Sequence, residues 1–186
     1  LQKMQVDEAA EPARLYWVAW LAQMWQRDEL GRSTLERSVR LGDKPYPPAY
    51  RALIGHYWAR RDWDQQRKIQ TSQELVDQAV SRGDNYLAAE LRGIIALHLN
   101  KIDEASAALL ESMRATTSPE ILLTYAEVQV RRKNLNEAER ILLKITEEYP
   151  LFEQAYAALI NFYREHRQNP SQALRTLQRW IAADPN

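Results

Sequence analysis

Residues 153–185 read EQAYAALINFYREHRQNPSQALRTLQRWIAADP, and this stretch decides the fold. Its apolar residues recur every three or four positions: Ala155, Leu159, Phe162 and Tyr163 first, then Ala173, Leu177 and Trp180. That period predicts two amphipathic helices, near 153–167 and 171–182, with Asn169-Pro170-Ser171 supplying the turn between them. No part of the chain alternates apolar and polar residues long enough to predict a strand. Helix formers dominate and glycine is scarce, at five. The predicted class is all-α.

Working outward, Pro150 and Pro185 lie 35 residues apart, and each closes a helix pair. Asn-Leu-Asn-Glu-Ala at 134–138 matches Lys-Ile-Asp-Glu-Ala at 101–105, a spacing of 33. Further toward the N-terminus, Gly93 pairs with Ala126 and Gly55 with Gly93, while Leu21, Met24 and Asp28 precede Gly55, Trp58 and Asp62 by 34. Five units are predicted, opening near Arg14, Pro48, Tyr86, Pro119 and Glu153. Residues 1–13 read as an upstream helix end or linker and 14–185 as the repeat domain. The second unit is four residues longer, about one helical turn, which predicts a longer second helix there. Leu1 in place of Met, and an end just after the last helix, are expected of a piece of something longer.

These units resemble the tetratricopeptide repeat, a 34-residue helix–turn–helix. The fifth carries Tyr156, Leu159, Tyr163, Ala173, Leu177, Trp180 and Pro185; the fourth keeps Ala126, Ala138, Leu142 and Pro150. The third keeps Gly93, Ala105 and Leu109, the second Gly55 and Trp58, and the first Trp17 and Pro45 with Leu21 at the small position. The resemblance implies a right-handed α-solenoid of about five antiparallel helix pairs, because each pair has an apolar face that only the next can cover.

It also implies a non-catalytic scaffold for protein–protein interaction, holding a peptide or helix of a partner in a concave groove lined by the first helix of each unit. The family's groove positions, carried over, include Leu15, Val18 and Trp25 in the first unit and His56 and Arg60 in the second. They include Glu90 and His98 in the third, Glu127 and Arg131 in the fourth, and Asn161 and Arg164 in the fifth. The groove is expected to be apolar at its N-terminal end and polar at its C-terminal end, with Trp17, Trp20, Leu21 and Met24 in the core. Chaperone-binding members clamp a C-terminal carboxylate in three consecutive units. Only Asn161 occupies one of those positions here, so such a tail is not expected.

Two alternatives compete with the groove. Leu174, Leu177 and Trp180 would be partly uncovered, which would let the chain self-associate through its terminal repeats. Helical repeats of similar period bind RNA, yet Glu90, Glu120, Glu127 and Glu165 share the surface with the arginines. Bacterial members of the family often serve envelope assembly, secretion or exopolysaccharide export. A bacterial multi-protein assembly is therefore the expected setting.

Composition narrows the field further. The 186 residues carry 25 basic and 25 acidic side chains, a formal net charge of zero, which argues against a nucleic-acid groove. No apolar run approaches the roughly 20 residues of a membrane span. The absence of cysteine excludes disulfides, thiolate metal sites and cysteine nucleophiles. His56, His98 and His166 share no metal-ligand spacing, and neither a phosphate-cradling glycine loop nor a Gly-x-Ser-x-Gly motif is present. No catalysis, cofactor or metal is expected.

Overall fold

The computed structural model describes residues 11–115 and 117–183. They form ten helices and, among the described residues, no strand. In order these are α1 (Glu11–Met24), α2 (Asp28–Arg40), α3 (Pro47–Ala59), α4 (Gln65–Ser81), α5 (Asn85–His98), α6 (Ile102–Ser112), α7 (Pro119–Arg131), α8 (Leu135–Glu148), α9 (Glu153–Glu165) and α10 (Pro170–Ala183). At 17 residues α4 is the longest, which is where the extra turn of the second unit lies. The chain gathers into two compact bodies, divided between His98 and Leu99.

Local chemistry explains where the helices begin. The Asp64 carboxylate accepts the Arg67 amide at 2.7 Å, opening α4, and Asp84 accepts the Leu87 amide at 2.9 Å, opening α5. Ser118 Oγ caps α7 ahead of Pro119, and Asn169 Oδ1 accepts the Gln172 amide at 3.1 Å ahead of α10. Each side-chain cap satisfies a backbone donor that has no partner in the first turn.

In the N-terminal body α1 packs on α2, α2 on α3, and α3 on α4 and α5. Tyr50, Leu53, Ile54, Leu35, Val76 and Leu91 are its fully buried large side chains, each contributing about 1.5–3 kcal/mol against exposure. The first helix pair crosses closely at Gly31. A Cβ there would meet Gln23 Cγ at 3.3 Å, the Ala19 carbonyl at 3.5 Å and Ala22 Cβ at 3.9 Å. The small residue facing that crossing is Ala19, 1% exposed, and not Leu21, which is 41% exposed.

The same correction moves the whole first unit by two residues. The α1–α2 turn closes with Gln26 at φ 55°, the Arg27 amide on the Ala22 carbonyl at 2.8 Å and the Gln26 amide on Gln23 at 2.9 Å. The α7–α8 turn repeats this with Lys133 at φ 63°, Asn134 on Gln129 at 2.9 Å and Lys133 on Val130 at 2.9 Å. Both are paired carbonyl caps around one left-handed residue. Matching them residue for residue sets Ala19 beside Ala126 and Gly31 beside Ala138. Trp17, Trp20, Leu21 and Met24, expected in the core, are 56%, 45%, 41% and 61% exposed. Gly55, the residue from which Leu21 had been counted, faces open space: a Cβ there meets nothing within 4 Å.

In the C-terminal body α6 packs on α7, α7 on α8 and α9, α8 on α9, and α9 on α10. Its core gathers Leu122, Ala126, Ala138, Ile141, Leu142, Ile145, Ala155, Leu159, Phe162, Tyr163 and Ala173. Ala126 and Ala138 sit where the seventh and eighth helices approach, as the alanine pattern anticipates. Two tyrosines tie helix pairs together in the same way. Tyr50 Oη donates to the Val39 carbonyl near the end of α2 at 3.2 Å, and Tyr156 Oη donates to the Thr146 carbonyl near the end of α8 at 3.3 Å.

Candidate functional site: two equivalent clefts

The paired tyrosines give a common frame for α3 and α9, and in that frame the same cleft appears in each body. In the C-terminal body it lies between α7 and α9. Leu123, Ala126, Glu127 and Val130 come from α7, and Ala158, Asn161, Phe162 and Glu165 from α9; Leu142 and His166 complete a space of about 320 Å³. In the N-terminal body Ala52, Gly55, His56, Ala59 and Arg60 occupy the places of Ala158, Asn161, Phe162, Glu165 and His166. With Gln23, Asp28, Arg61 and Asp62 they line a space of about 750 Å³.

The two clefts differ in chemistry. Apolar walls belong to the C-terminal cleft, where only two formally charged side chains, Glu127 and Glu165, line the space. The N-terminal cleft is polar and charged on both sides. Arg60 donates to both Asp62 oxygens, at 2.8 and 2.7 Å, and to Glu29 at 2.6 Å. The Arg60 bonds to Asp62 hold its carboxyl down at about 2.

His56 stands where Phe162 stands in the other cleft. Its Nε2 is buried and, among the described residues, has no hydrogen-bond partner. Burial pushes the imidazole pKa down, with Arg60 and Arg32 adding to the shift and Asp28 and Glu29 opposing it.

The eleven sequence-derived groove residues are spread unevenly over these features. His56 and Arg60 line the N-terminal cleft; Glu127 and Asn161 line the C-terminal one. Arg131 lies at the edge of the latter, paired with Glu127 at 2.7 Å. Arg164 is exposed on α9 outside the cleft lining. His98 is exposed and stacked on Trp58, with ring centroids 4.6 Å apart.

Glu90 departs from its expected place on an open surface. It is 2% exposed and forms a bidentate pair with Arg51 of α3. In the first unit Leu15 is half-buried and Val18 is 47% exposed, while Trp25, 72% exposed, falls in the turn after α1. The two-residue shift puts Tyr16, Trp20 and Gln23 where the groove positions of the other units lie. Ala158 and Phe162 were outside the carried-over positions, and their only signal is an apolar i, i+4 pair that reads equally as core.

Among the described residues, no group of three or more His, Cys, Asp or Glu side chains is placed to hold a metal ion. No described helix is long and apolar enough to cross a membrane.

Comparison with known proteins follows the repeats. Residues 96–161 match the tetratricopeptide repeat family. No curated protein matches the chain. Among solved structures, YrrB, a TPR protein with an unusual peptide-binding site, is 17% identical; the match covers 92% of this chain and 86% of that one, with a TM-score of 0.52. Pseudomonas aeruginosa PilF is 13% identical over 93% of this chain and 76% of its own, with a TM-score of 0.56. MamA of Desulfovibrio magneticus is 11% identical over 96% and 98%, with a TM-score of 0.52. Ten helices in pairs, the small-residue crossings and these matches agree: the chain carries an all-α, tetratricopeptide-like repeat domain, a fold that serves as a protein-interaction scaffold.

Proposed function

We propose that the chain is a non-catalytic scaffold that holds a segment of a partner protein in the cleft between α7 and α9, within a larger bacterial assembly. The observation that carries this reading is the cleft itself. Leu123, Val130, Ala158 and Phe162 form an apolar pocket open to solvent, and Asn161 stands at its rim. Among the described residues the Asn161 amide has no partner, so both its donor and its acceptor are available to a peptide backbone. A preformed pocket loses little ordering entropy when it is filled, and one well-packed anchor side chain can supply most of the affinity of such a contact. The peptide-binding site described for YrrB is consistent with this use of the fold.

The test is photo-crosslinking from position 161 in the living source organism, compared with a crosslinker at the exposed Gln178 of α10. A protein captured from position 161, absent from position 178 and lost when Ala158→Arg fills the pocket, is the expected result. Capture that survives Ala158→Arg would move the interface away from this cleft.

Self-association through the terminal repeats is the second reading. Leu109 and Leu142 are 0% and 3% exposed, whereas the corresponding Leu177 is 38% exposed, beside Leu174 and Ile181 at 57% and 63%. A mass that rises with concentration in sedimentation, and falls again in Leu177→Glu, is what that reading requires.

A further inference from the structure

The α7–α9 cleft joins apolar walls to an acidic rim in a chain whose overall charge is zero. Glu127 and Glu165 stand on opposite helices across the opening; no Lys or Arg lines it, and His166 is the one basic side chain among its lining residues. Glu127 already accepts from Arg131, but a carboxylate has room for further donors. Glu165 has no ion pair among the described residues. An occupant whose charge lies beside its apolar anchor would therefore meet two carboxylates and the Asn161 amide.

We infer that the segment bound here pairs one large apolar side chain with an adjacent Lys or Arg, and that the cleft selects against acidic segments and nucleic acid. This rests on the reading of the α7–α9 cleft as the anchor site and adds the partner's chemistry to it. The apolar side chain fills the space against Val130 and Phe162. The neighbouring cation lies at the rim, where Glu165 is the principal acceptor and Glu127 shares its charge with Arg131. Rim pairs of this kind set selectivity more than they set affinity, and they weaken as salt screens them.

The test uses NMR of the full 186-residue chain, titrated with three capped peptides: Gly-Lys-Leu-Phe-Lys-Gly, Gly-Glu-Leu-Phe-Glu-Gly and Gly-Lys-Ser-Ser-Lys-Gly. The first is expected to shift the Val130 and Ala158 methyls and to bind about tenfold more tightly than the second, the scale of two favourable rim contacts replaced by two repulsive ones. Glu165→Lys should abolish that preference. Glu165→Gln, which keeps the side-chain shape, should reduce it about threefold, and 0.5 M salt should reduce it in the wild type.

Equal binding of the first two peptides would overturn the charge inference and leave the anchor reading standing. Equal binding of the first and third would show a charged surface without an apolar anchor, and overturn the inference from the other side. If no peptide shifts those methyls, the anchor reading itself falls.

Discussion

Replacing His56 with Phe should stabilise this protein, and the size of the gain follows from the comparison of the two clefts. Phe162 fills the matching place in the C-terminal body at 3% exposure. His56 holds a ring nitrogen there, Nε2, buried with no partner among the described residues. A buried polar atom left unsatisfied costs about 1–3 kcal/mol, and a phenyl ring removes it while keeping a ring of similar size. Allowing for some crowding from the slightly larger ring, His56→Phe should gain about 1–2 kcal/mol at pH 7.5. For a chain of this length that raises the melting temperature by about 4 °C. The pH dependence has a definite sign. Burial, with Arg60 and Arg32, depresses the folded-state pKa of His56 below its ordinary 6.5. As the pH falls through that value, the unfolded chain takes up the proton more readily, so His56 destabilises the fold increasingly under acid. Phe cannot. The difference between variant and wild type should therefore widen from pH 7.5 to pH 5.5, by at most about 1.4 kcal/mol per pH unit. Urea unfolding of both proteins at the two pH values measures it. No gain at pH 7.5, or a difference that stays constant with pH, would refute the placement of His56 in the frame of Phe162.

Four further substitutions probe the frame. Gly31→Val should destabilise by about 2 kcal/mol or more, because its Cβ already meets Gln23 and the Ala19 carbonyl at 3.3 and 3.5 Å. Gly55→Ala should stabilise by about 0.5–1 kcal/mol, since its Cβ meets nothing and the helix gains a better former; thermal melts that reversed the two signs would restore the unshifted register of the first unit. Lys133→Gly should raise stability by about 1 kcal/mol in chemical denaturation, relieving a non-glycine residue at φ 63°. Glu90→Leu should cost about 2–3 kcal/mol by leaving the Arg51 guanidinium without its carboxylate, and adding Arg51→Leu should recover much of that loss in a double-mutant cycle.

The helices were legible in the sequence because their signals are local. Apolar residues every three or four positions, with Asp64, Ser118 and Asn169 at the openings, depend on neighbours within one turn. The register of the first unit was not. Leu21 was counted back from Gly55, and glycine invites the reading of a close crossing. In the fold Gly55 occupies the place of Asn161, on a cleft, while the close crossing falls to Gly31 and Ala19. A glycine reports freedom from a side chain, but the sequence does not say whether another helix or open solvent uses that freedom. Glu90 was misplaced for a related reason: its partner, Arg51, is 39 residues away, and no local pattern marks a carboxylate as already engaged.

The contrast between the two clefts bears on where specificity resides. The family's groove positions include His56, on the floor of the N-terminal cleft, but pass over Ala158 and Phe162, which set the floor of the C-terminal one. Ala158 and Phe162 read as core in any periodicity, since they pack inward while opening on one side to the groove. The frame that holds them is conservative within this chain: two tyrosine struts to a preceding helix and two turns closed around a left-handed residue. On that frame Phe162 gives one cleft an apolar floor, while His56 gives the other a buried nitrogen beside the Arg60–Asp62 pair. The same geometry thus presents two different chemistries. If each cleft binds what its own floor and rim favour, the two bodies engage different parts of a partner.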